Sequence, residues 1–128
     1  MSLEIHTVRV SESGKEQLIK LKRYTGLKQW NTLCRWALCA SLADPTPPLV
    51  RDILADSNVE MTWRTFGGEW ADVYLALIKQ RLLADGYELT QDNLTRVLLA
   101  HLHRGIGALA GQTAHPTIDS LVKRAVPA

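Results

Sequence analysis

The chain has 128 residues, with 15 Lys and Arg against 13 Asp and Glu, 46% hydrophobic content and 22% charged content. That composition excludes a disordered, charge-extended chain, and no apolar run approaches the roughly 20 residues that a membrane-spanning helix needs. The length suits one domain over residues 1–128 with a core of its own, and without a signal-peptide pattern at its start the chain reads as cytoplasmic.

Residues 3–10 (LEIHTVRV) are rich in β-formers but alternate imperfectly, which predicts a short strand or extended arm. Ser11 or Ser13 can cap the next helix, with Glu16 three residues after Ser13 in the capping-box position. That helix should run to about Thr25 and stop at Gly26, which suits the left-handed position after a helix. At about 100° per residue, Leu18, Leu21 and Thr25 form its core stripe. Lys20 and Arg23 fall opposite that stripe, and Lys15 and Lys22 lie along one shoulder.

A second helix, about 28–43, carries Trp30, Leu33, Cys34, Trp36, Ala37, Leu38, Ala40 and Leu42 around its circumference. Only Asn31, Thr32 and Arg35 make a polar strip. Such a helix must be buried on nearly every side, and in a short chain a partner subunit is one source of cover. Pro45, Pro47 and Pro48 end it. A short helix is predicted over 48–56 (PLVRDILAD), then an aromatic-flanked turn around Gly67-Gly68. A longer helix follows from Glu69 to about Ala84, ending near Gly86. Thr90 caps a helix over 91–104, whose stripe includes Leu94, Val97, Leu98 and Leu102. Ile106 to Ala110 can prolong it, and Pro116 can open a last short helix to about Lys123. The expected fold is all-α, with a short N-terminal strand or arm before a basic helix and an apolar helix.

Charge is polarised along the chain. Residues 1–43 hold Arg9, Lys15, Lys20, Lys22, Arg23, Lys28 and Arg35 against only Glu4, Glu12 and Glu16, a balance of +4. Residues 44–128 hold 8 basic and 10 acidic side chains, a balance of −2. A basic segment docked on an apolar one points to a polyanion-binding face on a packed, oligomeric body. Lys28 and Arg35, flanking Trp30, can extend the patch through the inter-helix turn. Strand, helix, glycine turn, helix is also the order of a ribbon-helix-helix repressor, whose paired strands enter the major groove. In that reading Glu4, His6, Thr7 and Arg9 would contact bases.

Other chemistry-bearing residues read as structural. Cys34 and Cys39 stand five apart, which is not CxxC spacing, and both are expected to be buried small hydrophobes. His101 and His103 diverge by roughly 200° on a helix, and with His6 and His115 they offer no metal-ligand spacing, so neither metal nor cofactor is expected. Gly105, Gly107 and Gly111 lack the GK[ST] of a phosphate loop and read as close helix packing or a helix break. No Ser/His/Asp, Cys/His or paired-carboxylate set can be assembled. Trp30, Trp36, Trp63 and Trp70 read as core or interface anchors.

The run RVSESGKEQLIKLKRYTGLKQWNTLCRWALCASLADP, with the later WRTFGGEW and HLHRGIG, resembles the DndE family of DNA phosphorothioation (sulfur modification) proteins. The resemblance covers about residues 8–110. It implies a compact helical homotetramer that binds duplex DNA, preferentially nicked, through surface lysines. It also implies work beside a cysteine desulfurase and the DndC and DndD components. Carried onto this sequence, Lys15, Lys20, Lys22 and Arg23 become DNA-contact residues, joined by Lys28 and Arg35 from the charge pattern. Gly26, in the turn YTGLKQW, becomes a subunit-contact residue, with Trp30 and Trp36 as apolar anchors. The resulting expectation is a non-enzymatic DNA-binding subunit of a restriction-modification type system. The alternatives are a ribbon-helix-helix repressor, a nicking enzyme, and a scaffold that meets only proteins.

Overall fold

A computed structural model describes residues 3–111 and 122. Strand β1 (Thr7–Arg9) pairs antiparallel with β2 (Glu60–Thr62), Val8 opposite Met61. Val8, Val10, Val59 and Met61 enter the core, while Thr7, Arg9, Glu60 and Thr62 face solvent. The helices are α1 (Glu12–Thr25), α2 (Trp30–Ala43), α3 (Trp63–Gly67), α4 (Ala71–Ala84) and α5 (Gln91–Gly111), with a 3-10 turn over Gly68–Trp70. The fold is mostly helical, as expected. The helix predicted from Pro116 lies outside the described residues. Among the described residues, no helix is long and apolar enough to cross a membrane.

Ser11 caps α1, its Oγ accepting from the Gly14 amide at 3.0 Å. A capping-box glutamate would take the Ser11 amide; here that amide donates instead to His103 Nε2 on α5, 3.0 Å away. The other ring nitrogen of His103 donates to the Leu99 carbonyl at 2.8 Å. With Ser11 rather than Ser13 as the cap, Glu16 lies beyond the capping-box position and is exposed, and the start of α1 is pinned to α5 across 92 residues. Leu18, Leu21 and Thr25 are buried and Gly26 ends the helix at φ 77°, both as predicted.

The centre of the molecule is the crossing of α2 and α5. A Cβ on Gly105 would stand 1.7 Å from the Ala37 carbonyl oxygen, so the two backbones touch there. Of the three glycines in this part of α5, close packing applies to Gly105; around Gly107 the nearest atom to such a Cβ is Gln17 Nε2 at 3.9 Å.

The C-terminal end of α2 is closed by two arginines. Arg104 donates to the Ser41 carbonyl at 2.8 Å, and Arg81 donates to those of Leu42 at 3.0 Å and Asp44 at 2.7 Å. Both also reach the Thr46 carbonyl. Cations at the negative end of a helix dipole are stabilising, and Asp85 holds Arg81 in place at 3.0 Å. Beneath them Arg104 Nε donates to Ser41 Oγ at 2.8 Å, and Ser41 Oγ lies 2.8 Å from His101 Nδ1. That network gives the serine hydrogen to Nδ1 and leaves the ring proton on Nε2, which has no partner among the described residues. Burial first, then Arg81 and Arg104, push the His101 pKa down to about 4. Burial also lowers that of His103.

Three expectations are corrected. No helix forms over 48–56: its neighbours are tied down by Arg81 and Arg104 at Thr46 and by Ser57, which donates to the Val10 carbonyl. So short a piece gains little from helix propensity alone, and Leu49 and Leu54 are 79% and 75% exposed, with no surface to pack on. The second correction is β2, three residues too short to show a period. The third is the Gly67-Gly68 turn, which is the junction of α3 and the 3-10 turn; Gly68 sits at φ 58°, ψ −137°, where side chains are strongly disfavoured. The helix after Thr90 does run on through Ile106 to Gly111, with Leu94, Val97, Leu98 and Leu102 buried.

Two outcomes test this packing. Gly105→Ala should cost at least ~3 kcal/mol, whereas Gly107→Ala should be neutral or stabilising by up to ~1 kcal/mol; paired denaturant melts compare them. The folded-state pKa of His101 lies below its unfolded value, so the unfolded chain binds the proton first as pH falls. Stability should therefore decline from about pH 6.5 towards pH 4, by at most about 3 kcal/mol from this residue. Melts of wild type and His101→Gln across that range should show a shallower decline in the variant.

Candidate nucleic-acid interface

Lys15, Lys20, Lys22 and Arg23 project from α1 and Lys28 from the turn that follows it; Arg35 stands on α2. The remainder of the basic set divides: Arg51, Arg64 and Lys79 form no ion pair among the described residues, whereas four arginines do. Arg9 pairs with Glu60, Arg81 with Asp85, Arg96 with Asp52 and Asp92, and Arg104 with Asp44. Among the described residues none of the six candidate cations forms an ion pair. Among the described residues the downstream acids thus leave the cations of α1 and its turn without ion pairs.

The six are not equivalent. Lys20 Nζ donates to the Ala110 carbonyl at 2.9 Å, closing the end of α5 as well as carrying charge. Lys22 Nζ lies 4.2 Å from the centre of the Trp30 ring, a cation–π contact that joins α1 to the start of α2. Arg23 lies over Tyr24 at 5.7 Å. Arg23 and Lys28 are exposed and Lys15 half-buried. Arg35 sits with the α4 side of α2, its Nη2 3.5 Å from Thr32 Oγ1 and its Nη1 3.7 Å from where a Cβ on Gly68 would be. Gly26 is exposed, with open space around it, and Trp30 and Trp36 are both half-buried.

The inward side of α2 holds Leu33, Cys34, Ala37, Leu38 and Ser41. Its outward side holds Thr32, Trp36 and Cys39, and in one chain this side is only partly covered. Cys34 is buried as expected, and burial pushes its thiol up to about 12. Cys39 is exposed, against expectation: five helical positions turn it about 140° from Cys34, too far to share one core. Thr32, Arg35, Trp36 and Cys39 of α2 and Tyr74 of α4 line an open groove of about 400 Å³. Beyond it, Trp70, Val73 and Leu77 form an exposed apolar stripe along α4, 59%, 49% and 42% exposed. α4 is thus apolar on two sides, since Ala71, Ile78 and Leu82 fill the core.

One pairing was missed in the sequence, that of Ser41 with His101, 60 residues apart. Serine and histidine are 2% and 0% exposed, so no substrate reaches them. His101 and His103 are structural, as their spacing suggested. β1, the candidate reading strand of a ribbon-helix-helix unit, has the chain's own β2 as its hydrogen-bonding partner.

The profile of a family described as DNA sulphur modification protein DndE matches residues 7–117. A crystal structure of DndE from Escherichia coli B7A, involved in DNA phosphorothioation modification, is similar with a TM-score of 0.70 at 26% identity, over 85% of this chain and 99% of that one. A glycine-to-lysine mutant of DndE involved in DNA phosphorothioation shares the fold, with a TM-score of 0.65 at 22% identity over 84% of this chain and 100% of that one. No curated protein matches the chain. With a family match over most of its length and this fold, the chain belongs to the DndE family, which is involved in DNA phosphorothioation.

Proposed function

We propose that this chain is a non-enzymatic, DNA-binding subunit of a phosphorothioation system that holds duplex DNA, preferentially nicked, on the cationic surface of an oligomer. The observation that carries the reading is the concentration of six cations without ion-pair partners among the described residues in a segment, residues 1–43, whose acids are only Glu4, Glu12 and Glu16. Unpaired lysines and arginines neutralise phosphates and release counterions, which supplies affinity without base information. Target choice then falls to DNA structure or to the DndC and DndD components beside it. A nick suits such a surface because a broken strand lets the duplex bend at lower cost.

The buried Ser41–His101 pair supports a role without chemistry of its own. Self-association is supported by the exposed stripe of Trp70, Val73 and Leu77, a surface that soluble monomers rarely leave open, and the Gly26 turn offers a second contact. A tetramer would present the cationic residues four times and raise avidity through effective concentration.

The quadruple variant Lys15→Ala, Lys22→Ala, Arg23→Ala, Lys28→Ala should bind duplex DNA on the order of a hundredfold more weakly at ~0.1 M salt. Lys20 is left in place because it closes α5. Fluorescence anisotropy with labelled duplex measures the loss, and an unchanged melting temperature shows that charge rather than folding accounts for it. Unchanged affinity would move the cations to a protein partner.

A further inference from the structure

The groove beside α2 is not needed to hold a duplex by its phosphates, yet it combines features that surface lysines lack. Trp36 and Tyr74 supply aromatic walls, Arg35 a guanidinium without an ion-pair partner among the described residues, and Thr32 a hydroxyl. Among the described residues, no carboxylate lines it. Tyr74 is held rigid by an edge-on contact with Phe66, ring centres 5.6 Å apart at 73°. The volume of about 400 Å³ falls in the ~300–1,000 Å³ range of small-ligand sites. An open aromatic slot with one free cation complements a planar, anionic group: a nucleotide, its base against the rings and its phosphate at the guanidinium. Aliphatic chains would leave Arg35 unanswered, and a simple anion would leave the aromatic walls unused.

We infer that the groove formed by Thr32, Arg35, Trp36, Cys39 and Tyr74 receives a single unpaired nucleotide splayed out from the bound strand. The inference rests on the DNA-binding reading and adds a second mode to it. Phosphate contacts from α1 and the turn hold any duplex, and the groove favours a strand from which one base can leave the stack. Removing a base costs a few kcal/mol in intact duplex and less where pairing is already broken. Stacking on aromatic side chains is tolerant of sequence, because every base has a π-face. The site therefore discriminates DNA structure and leaves base identity unread. Lys28 is exposed just ahead of the first turn of α2, the helix that supplies four of the groove's residues.

Cys39 supplies a native reporter, since it is exposed in the groove while Cys34 is buried. The test compares three labelled duplexes of one sequence: fully paired, carrying one extrahelical nucleotide, and carrying an abasic residue at that bulge. Wild type should bind the bulged duplex about tenfold or more tighter than the paired one, the gain expected from stacking one base. The abasic bulge should lose most of that gain, and maleimide labelling of Cys39 should slow only with the intact bulge. In Trp36→Leu the bulged-to-paired ratio should fall to about one, and Arg35→Gln, which keeps the groove's apolar walls, should reduce it several-fold. Equal affinity for paired and bulged duplexes, or a gain that survives Trp36→Leu, would overturn the site. So would protection of Cys39 that rises with protein concentration alone, which would make the groove an interface between copies. Should none of the duplexes bind, the DNA-binding reading fails on its own terms. Protection of Cys39 by millimolar deoxyadenosine monophosphate then still decides the groove, its absence counting against it.

Discussion

The backbone contact between Gly105 and Ala37 is the constraint on which the rest of this structure depends. Two helices can approach so closely only where one has no side chain, and here the ideal Cβ would fall 1.7 Å from a carbonyl oxygen. Close approach lets α2 and α5 bury Leu33, Leu38, Leu102 and Ile106 completely. It also brings His101 to Ser41 and lets Arg104 and Arg81 reach the last carbonyls of α2. Two residues before Gly105 on α5, His103 takes the amide that starts α1. Moving α5 outward by even an ångström would disturb the cap of the basic helix and the end of the apolar one together.

From that frame follows the distribution of charge. Three downstream arginines are structural: Arg81 and Arg104 close the end of α2, and Arg96 meets Asp52 and Asp92. The cations of α1 and its turn form no ion pair among the described residues. Charged hydrogen bonds to carbonyls in half-buried places are worth more than surface pairs, so the two classes of cation are held with different strength. Lys20 belongs to both, because its ammonium caps α5 while remaining part of the cationic surface.

Much of this was legible in the sequence where the signal is local. The stripe of Leu18, Leu21 and Thr25, the stop at Gly26, the cap at Thr90 and the core face of α5 all rest on spacing within a few turns. Long-range contacts were not legible. Nothing near Ser11 indicates that its amide is satisfied by a histidine 92 residues away, and the capping box with Glu16 does not form because Ser11, not Ser13, is the cap. β2 has only three residues and acquires its strand character from pairing with β1. Residues 48–56 have a helical composition, but their neighbours are tied to other elements. Cys39 was misassigned because an apolar helix was expected to be covered all round, whereas a single chain leaves its outward side open. The family resemblance is carried by the basic segment and the apolar helix, with WRTFGGEW and HLHRGIG, and the first two hold the candidate cations and all of the groove's lining except Tyr74.

The central claim is that affinity comes from unpaired cations meeting phosphates. A titration of the purified protein with unrelated duplex sequences over a salt series tests it most directly. Engagement of four to six phosphates per protomer predicts a linear fall of log affinity with log salt, of slope about −4 to −5 and equal for every sequence. A flat salt dependence, or tight binding confined to one sequence, would contradict it.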